Sequence, residues 1–179
     1  EARHHCPGAK IEVYTNGDFL TASLARRLID AGLSTILVSL YDGSHQIEHF
    51  TTIRREAALS AAQFILRERY KLDQGEGLHL SNRAGMIDFK RMNTQALRGP
   101  MKRRCHLPFY MMMIDHTGDV YLCSHDWVKK DPVGNLNRDS ILEVWNGPLL
   151  RQARERLAVG ERGFRPCAGC DVDGTKIGG

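Results

Sequence analysis

No stretch of this chain reaches the roughly 18 consecutive apolar residues that a membrane-spanning helix needs, and no secretory leader opens it. No charge of one sign dominates. Twenty-five Lys and Arg stand against 21 Asp and Glu, a net +4, and the arginines are dispersed except in "MKRRC" (101–105) and over 151–165. So weak a basic signature does not point to nucleic acid as a partner. Internal repeats and low-complexity segments are also lacking. Cysteine is scarce and odd in number, at five, which without a leader argues against a disulfide framework. The expectation from these lacks is a cytoplasmic chain with no membrane partner. The chain opens at Glu1, not Met, which suggests a segment of a longer protein.

What is present is ordinary globular composition. The 179 residues are 42% hydrophobic and 26% charged, enough for one large domain or two small ones. "IEVYT" (11–15) alternates as a strand, and "NGD" breaks it. Thr21 caps a predicted helix with a Leu24, Leu28, Ile29 stripe, closed by Gly32. "STILVSLYDG" (34–43) reads as a strand buried on both faces. The pattern then predicts a helix over 53–70, with Ile53, Ala57, Ala61, Phe64 and Ile65 on one side, and a third strand in "GLHLSNRAG" (77–85). Strands alternating with helices make an α/β layer with a parallel sheet. Ligand-binding groups in such layers gather at the strands' C-terminal ends, here 15–18, 39–43 and 81–85. After residue 90 the style changes to a polar linker, and then to a hairpin in "FYMMMIDHTGDVYLCSHD" with "DHTGD" as its turn. Met111, Met112 and Met113 read as strand core. A helical stretch follows, with Pro148 at a first-turn position, and the chain ends in the glycine-rich "CAGCDVDGTKIGG". The expected organisation is one unit over 1–90, a linker over 91–104 and a second unit over 105–179.

Cys6, in a "CPG" turn, reads as a free thiol. Cys105, Cys123, Cys167 and Cys170 are separated by 17, 43 and 2 residues. A C-x-x-C alone serves zinc, iron–sulfur and redox chemistry alike. Its distance from any strand-to-helix junction speaks against a thioredoxin-like motif. Together with Cys105 and Cys123 it supplies four thiolates, enough for a tetrahedral zinc or an iron–sulfur cluster, and ligand type does not separate the two. The plain alternative is that Cys105 and Cys123 are buried apolar residues.

The order Cys105, Gly118-x-x-x-x-Cys123, "VGNL" (133–136), "SILEVW" (140–145) and Cys167-x-x-Cys170 resembles the SPASM extension of radical S-adenosylmethionine (SAM) enzymes. With no further cysteines after the C-x-x-C, it is similar to the shortened twitch form. "IEVYTNGDFLTASLARRLIDAGLSTILVSLYDG" resembles a strand–helix–strand stretch of the radical SAM partial (β/α) barrel, and "LSNRAG" its fifth strand. The C-x-x-x-C-x-x-C that holds the family's catalytic cluster does not occur in this chain. The resemblance therefore implies the C-terminal part of a partial barrel followed by a small α+β domain with a hairpin. It implies an auxiliary 4Fe-4S cluster on Cys105, Cys123, Cys167 and Cys170, with SAM and a second 4Fe-4S cluster in the full-length enzyme. It also implies SAM contacts from Ser39, Arg83 and Asn16, a small-molecule substrate such as a carbohydrate or cyclitol, or else a peptide, and a reductant protein such as flavodoxin or ferredoxin. His125, Asp126 and Trp127 are read as turn and rim residues or as a wall of the substrate pocket. The competing function is a non-catalytic zinc-stapled binding module.

Overall fold

The computed structural model describes residues 1–71, 81–88, 94 and 97–175, in two compact units, Glu1–Leu78 and His79–Gly179. In the first unit a short helix α1 (Ala2–His5) precedes β1 (Glu12–Thr15), α2 (Ala22–Asp30), β2 (Thr35–Leu40), α3 (His45–Glu56) and β3 (Phe64–Glu68). The three strands are parallel in the order β1-β2-β3, with Val13 opposite Ile36 and Ile36 opposite Phe64. Thr21 Oγ1 accepts the Leu24 N–H at 3.2 Å, so α2 starts where its cap predicts. All six residues of β2 are buried, as a central parallel strand requires. Ile36, Val38, Leu40 and Phe64 meet Ala25 and Ile29 of α2 and Phe50 and Ile53 of α3 in one core.

The sequence misplaced one element. The predicted helix over 53–70 is the end of α3, a turn and a strand. The Leu59 N–H donates to Arg54 O and the Ala58 N–H to Arg55 O, both at 3.0 Å, with Ala58 left-handed at φ 51°. This is a Schellman stop with alanine where glycine is usual. No glycine marks it, and Phe64, Ile65 and Leu66 then extend as β3. A further strand is expected from the sequence at 77–85. Residues 77–80 lie outside the described residues, and 81–85 form a turn of the second unit, with Arg83, Ala84 and Gly85 at φ 49°, 58° and 87°. The chain divides into its two compact units between Leu78 and His79.

In the second unit β4 (Met113–Ile114), β5 (Asp119–Tyr121) and β6 (Gly134–Asn135) form an antiparallel sheet in that order. The β4–β5 hairpin is the one predicted from "DHTGD". Met111–Met113 are only half-buried, and of the three only Met113 is in the strand. Gly134 sits under α4 (Ile141–Asn146), where a Cβ would lie 2.6 Å from Val144 Cγ2. Ser140 and Glu143 close a capping box on α4. Pro148 opens α5 (Pro148–Ala158). Leu122, Leu150, Ala153 and Leu157 form the core of this unit with Cys105 and Cys167, flanked by Trp145 and Phe164. Among the described residues no helix is long and apolar enough to cross a membrane.

Candidate metal centre

Cys105, Cys123, Cys167 and Cys170 are free thiols, each 7–8% exposed, whereas Cys6 is exposed in the first unit. They come from three places: the segment before the hairpin, the end of the strand region after β5, and a one-turn 3-10 helix, Cys167–Gly169. Their electrostatics tie them into one set. Burial pushes the Cys123 thiol up to about 12, and the proximity of Cys170 and Cys105 adds to it. Burial likewise raises Cys167, followed by Cys123, Cys170 and Cys105, and burial raises Cys170. Two backbone donors act in the opposite sense. The N–H of His125 supports the Cys123 sulfur and that of Val172 the Cys170 sulfur, each two residues onward in the chain. Four buried thiols that repel one another as anions, with N–H groups aimed at two of them, suit a polynuclear cation that replaces their protons.

Backbone ties bring the three segments together. The His106 N–H donates to Gly174 O at 2.8 Å and the Cys105 N–H to Leu157 O at 3.2 Å. Gly174, at φ 64°, lies directly on Cys105, where any Cβ would run into Sγ. Arg162 spans the same two strands of chain, donating to Arg103 O, Arg104 O, Val172 O and Asp173 O at 2.6–2.9 Å. Asn82, fully buried, holds the C-x-x-C from the other side. Its Nδ2 donates to Gly169 O at 2.5 Å, its Oδ1 accepts the Gly85 N–H at 3.1 Å, and its backbone N–H meets the Asp171 carboxylate at 2.9–3.0 Å.

A recess beside the thiols is lined by Ala84, Cys123, His125, Asp126, Pro166, Cys167 and Cys170. His125 Nδ1 lies 2.9 Å from Ser81 Oγ and 3.4 Å from Arg83 Nη1. Burial and then the Arg83 charge lower its pKa, which favours the neutral imidazole. The Arg83 guanidinium stacks on Trp127, 4.7 Å from the ring centroid, and Trp127 is half exposed. Asp126 is buried, and burial raises its carboxyl. Its Oδ1 accepts the Lys129 N–H at 3.2 Å.

Arg83 belongs to the second unit, where it lies next to His125 and Trp127. Ser39 is the fifth of six residues in β2, opposite Arg67 and buried. Asn16 is exposed in the turn after β1, its Nδ2 donating to Asp18 Oδ2 at 2.8 Å. Sequence reasoning missed Asn82 and Arg162. Both act through backbone carbonyls and loops distant in sequence, and no local motif announces them.

A parallel α/β unit is followed by a small unit with four buried thiols, a donor set suited to a metal centre. Residues 105–171 match SPASM, an iron–sulfur cluster-binding domain. The chain is 27% identical over 168 residues to the S-adenosyl-L-methionine-dependent 2-deoxy-scyllo-inosamine dehydrogenase of Niallia circulans, a match covering 93% of this chain and 62% of that protein. Two solved structures share the fold. BtrN in complex with AdoMet and 2-DOIA has a TM-score of 0.70 and 22% identity, over 96% of this chain and 63% of that one. Selenomethionine BtrN in an open conformation has a TM-score of 0.60 and 18% identity, over 98% and 66%. The chain therefore spans somewhat under two thirds of the length of these relatives.

Proposed function

We propose that this chain is the C-terminal portion of a radical SAM dehydrogenase that oxidises an alcohol of a small polar ring, an aminocyclitol or a related sugar. The observation that carries the reading is that Cys105, Cys123, Cys167 and Cys170 are all buried and all lie within the stretch matching an iron–sulfur domain. These four residues would ligate an auxiliary 4Fe-4S cluster, which when bound supplies a one-electron donor or acceptor beside the substrate. The similarity to a SAM-dependent dehydrogenase supports the reaction class and the cyclitol-like substrate. A peptide substrate has no comparable support. The first unit is read as the end of a partial (β/α) barrel, and Ser39 and Asn16 remain its strand-end candidates for SAM contact. Arg83 also remains a candidate for SAM contact, and with His125 and the Trp127 face it is read as the rim of a substrate site. A fixed guanidinium there donates to hydroxyl oxygens of a ring, orients them and excludes water from one side. The reductant is read as a small flavodoxin- or ferredoxin-like protein.

The zinc-stapled module is the weaker reading. Ligand type does not separate zinc from a cluster; what favours the cluster is the match of residues 105–171 to an iron–sulfur cluster-binding domain. Anaerobic reconstitution of the chain with iron and sulfide tests the choice. The expected product is brown, with about four irons per chain and a reducible EPR signal. A colourless protein that takes up one zinc and no iron would reverse it. Fused to an upstream segment bearing C-x-x-x-C-x-x-C, the chain should support SAM cleavage under reducing conditions.

A further inference from the structure

Arg162 is 2% exposed, yet its charge has no carboxylate partner among the described residues. Nε donates to Arg103 O at 2.8 Å, Nη1 to Val172 O at 2.6 Å, and Nη2 to Arg104 O and Asp173 O, both at 2.9 Å. The remaining contact, from Nη1, is to the Met101 thioether at 3.9 Å. Every acceptor is neutral. Asp173 offers Arg162 only its carbonyl, because its carboxylate pairs with Arg103. A buried cation with neutral partners is costly unless an anion lies close by. The residues it grips are those next to the sulfur ligands: 103 and 104 precede Cys105, and 172 and 173 follow Cys170.

We infer that Arg162 is the positioning residue of the metal centre and the counter-charge of the thiolate-bound cluster. The inference rests on the cluster reading above and deepens it. The four carbonyl bonds set the distance between Cys105 and Cys170. The charge offsets the net negative charge that a four-thiolate cluster carries, and the offset is larger in the reduced state, which is more negative by one electron. A fixed buried cation therefore raises the reduction potential of the centre and favours its service as an electron acceptor. Oxidation of an alcohol requires such an acceptor once a hydrogen atom has left the carbon.

The test uses the 179-residue chain reconstituted anaerobically with iron and sulfide, as wild type, Arg162→Lys and Arg162→Gln. Iron per chain and the midpoint potential from an EPR-monitored titration are measured. Lysine keeps the charge without the fork, so it should load less cluster at a potential near that of wild type. Glutamine should load least, and the cluster it does hold should titrate at a clearly lower potential. Loading by the lysine variant alone, with an empty glutamine variant, also supports the counter-charge. Equal potentials in wild type and the glutamine variant, a lysine variant shifted as far as glutamine, or two empty variants would each reduce Arg162 to a clamp and overturn the inference. A wild-type chain that takes up no cluster sinks the reading beneath it instead, an outcome the variants cannot imitate.

Discussion

At the scale of single residues, the second unit depends on groups that hold the thiols as much as on the thiols. Replacing any one of Cys105, Cys123, Cys167 or Cys170 by serine should reduce reconstituted iron from about four per chain to well under half of that, read by iron assay and visible absorption. Asn82→Ala removes the amide that ties Gly169 to Gly85 and leaves buried carbonyl and N–H groups without that partner. The expected cost is about 1–3 kcal/mol, measured as a lowered urea midpoint of the second unit. The thiols also set a pH dependence. In the metal-free fold Cys123 is raised from 9.0 to about 12, and Cys167 and Cys170 are raised with it. A group raised in the fold contributes stability that is complete below its unfolded value and is lost as pH climbs toward the folded one. Metal-free protein under reductant should therefore lose stability from pH 9 upward, while cluster-bound protein, whose sulfurs carry no protons, should not show that decline. Urea midpoints of both forms at pH 8 and pH 10.5 would show it.

Among the elements, the most informative is the stop between α3 and β3. Ala58 sits in the left-handed region, which costs an L-residue about 1–2 kcal/mol. Ala58→Gly should raise stability by roughly 0.5–1 kcal/mol, part of the relief being offset by the freer unfolded chain. Within a continuous helix the same change would lower stability by a similar amount, so the sign in a denaturant titration discriminates between the two structures. This junction also marks the limit of what the sequence made legible. β1, α2, β2, the hairpin and the Pro148 start of α5 were readable because each carries its own local signal of alternation, cap, continuous apolar run, turn dipeptide or proline. The Ala57–Ser60 stop carries none, and "AALSAAQFILRERY" has helix propensity throughout, so packing of Phe64 into the core overrode it. The four cysteines stand out by spacing as candidates, whereas the residues that tie their segments together do not. Asn82 acts across 87 residues on Gly169, and Arg162 across 59 on Arg103.

For the whole molecule, the two units have separate cores, one without a cysteine and one built around two of them. Metal occupancy should therefore act on one unit only. In scanning calorimetry, treating the reconstituted chain with a chelator and an oxidant should abolish or strongly lower one transition and leave the other within a few degrees. A common shift of both transitions would contradict independent units. The contrast between Cys6 at the surface and four thiols at 7–8% exposure has a practical consequence for labelling. A maleimide in modest excess will tag the first unit at a single position within minutes. Further tags will accrue only as the second unit opens, so a mass spectrum taken over time becomes a clock for that opening, with the first label as its internal standard.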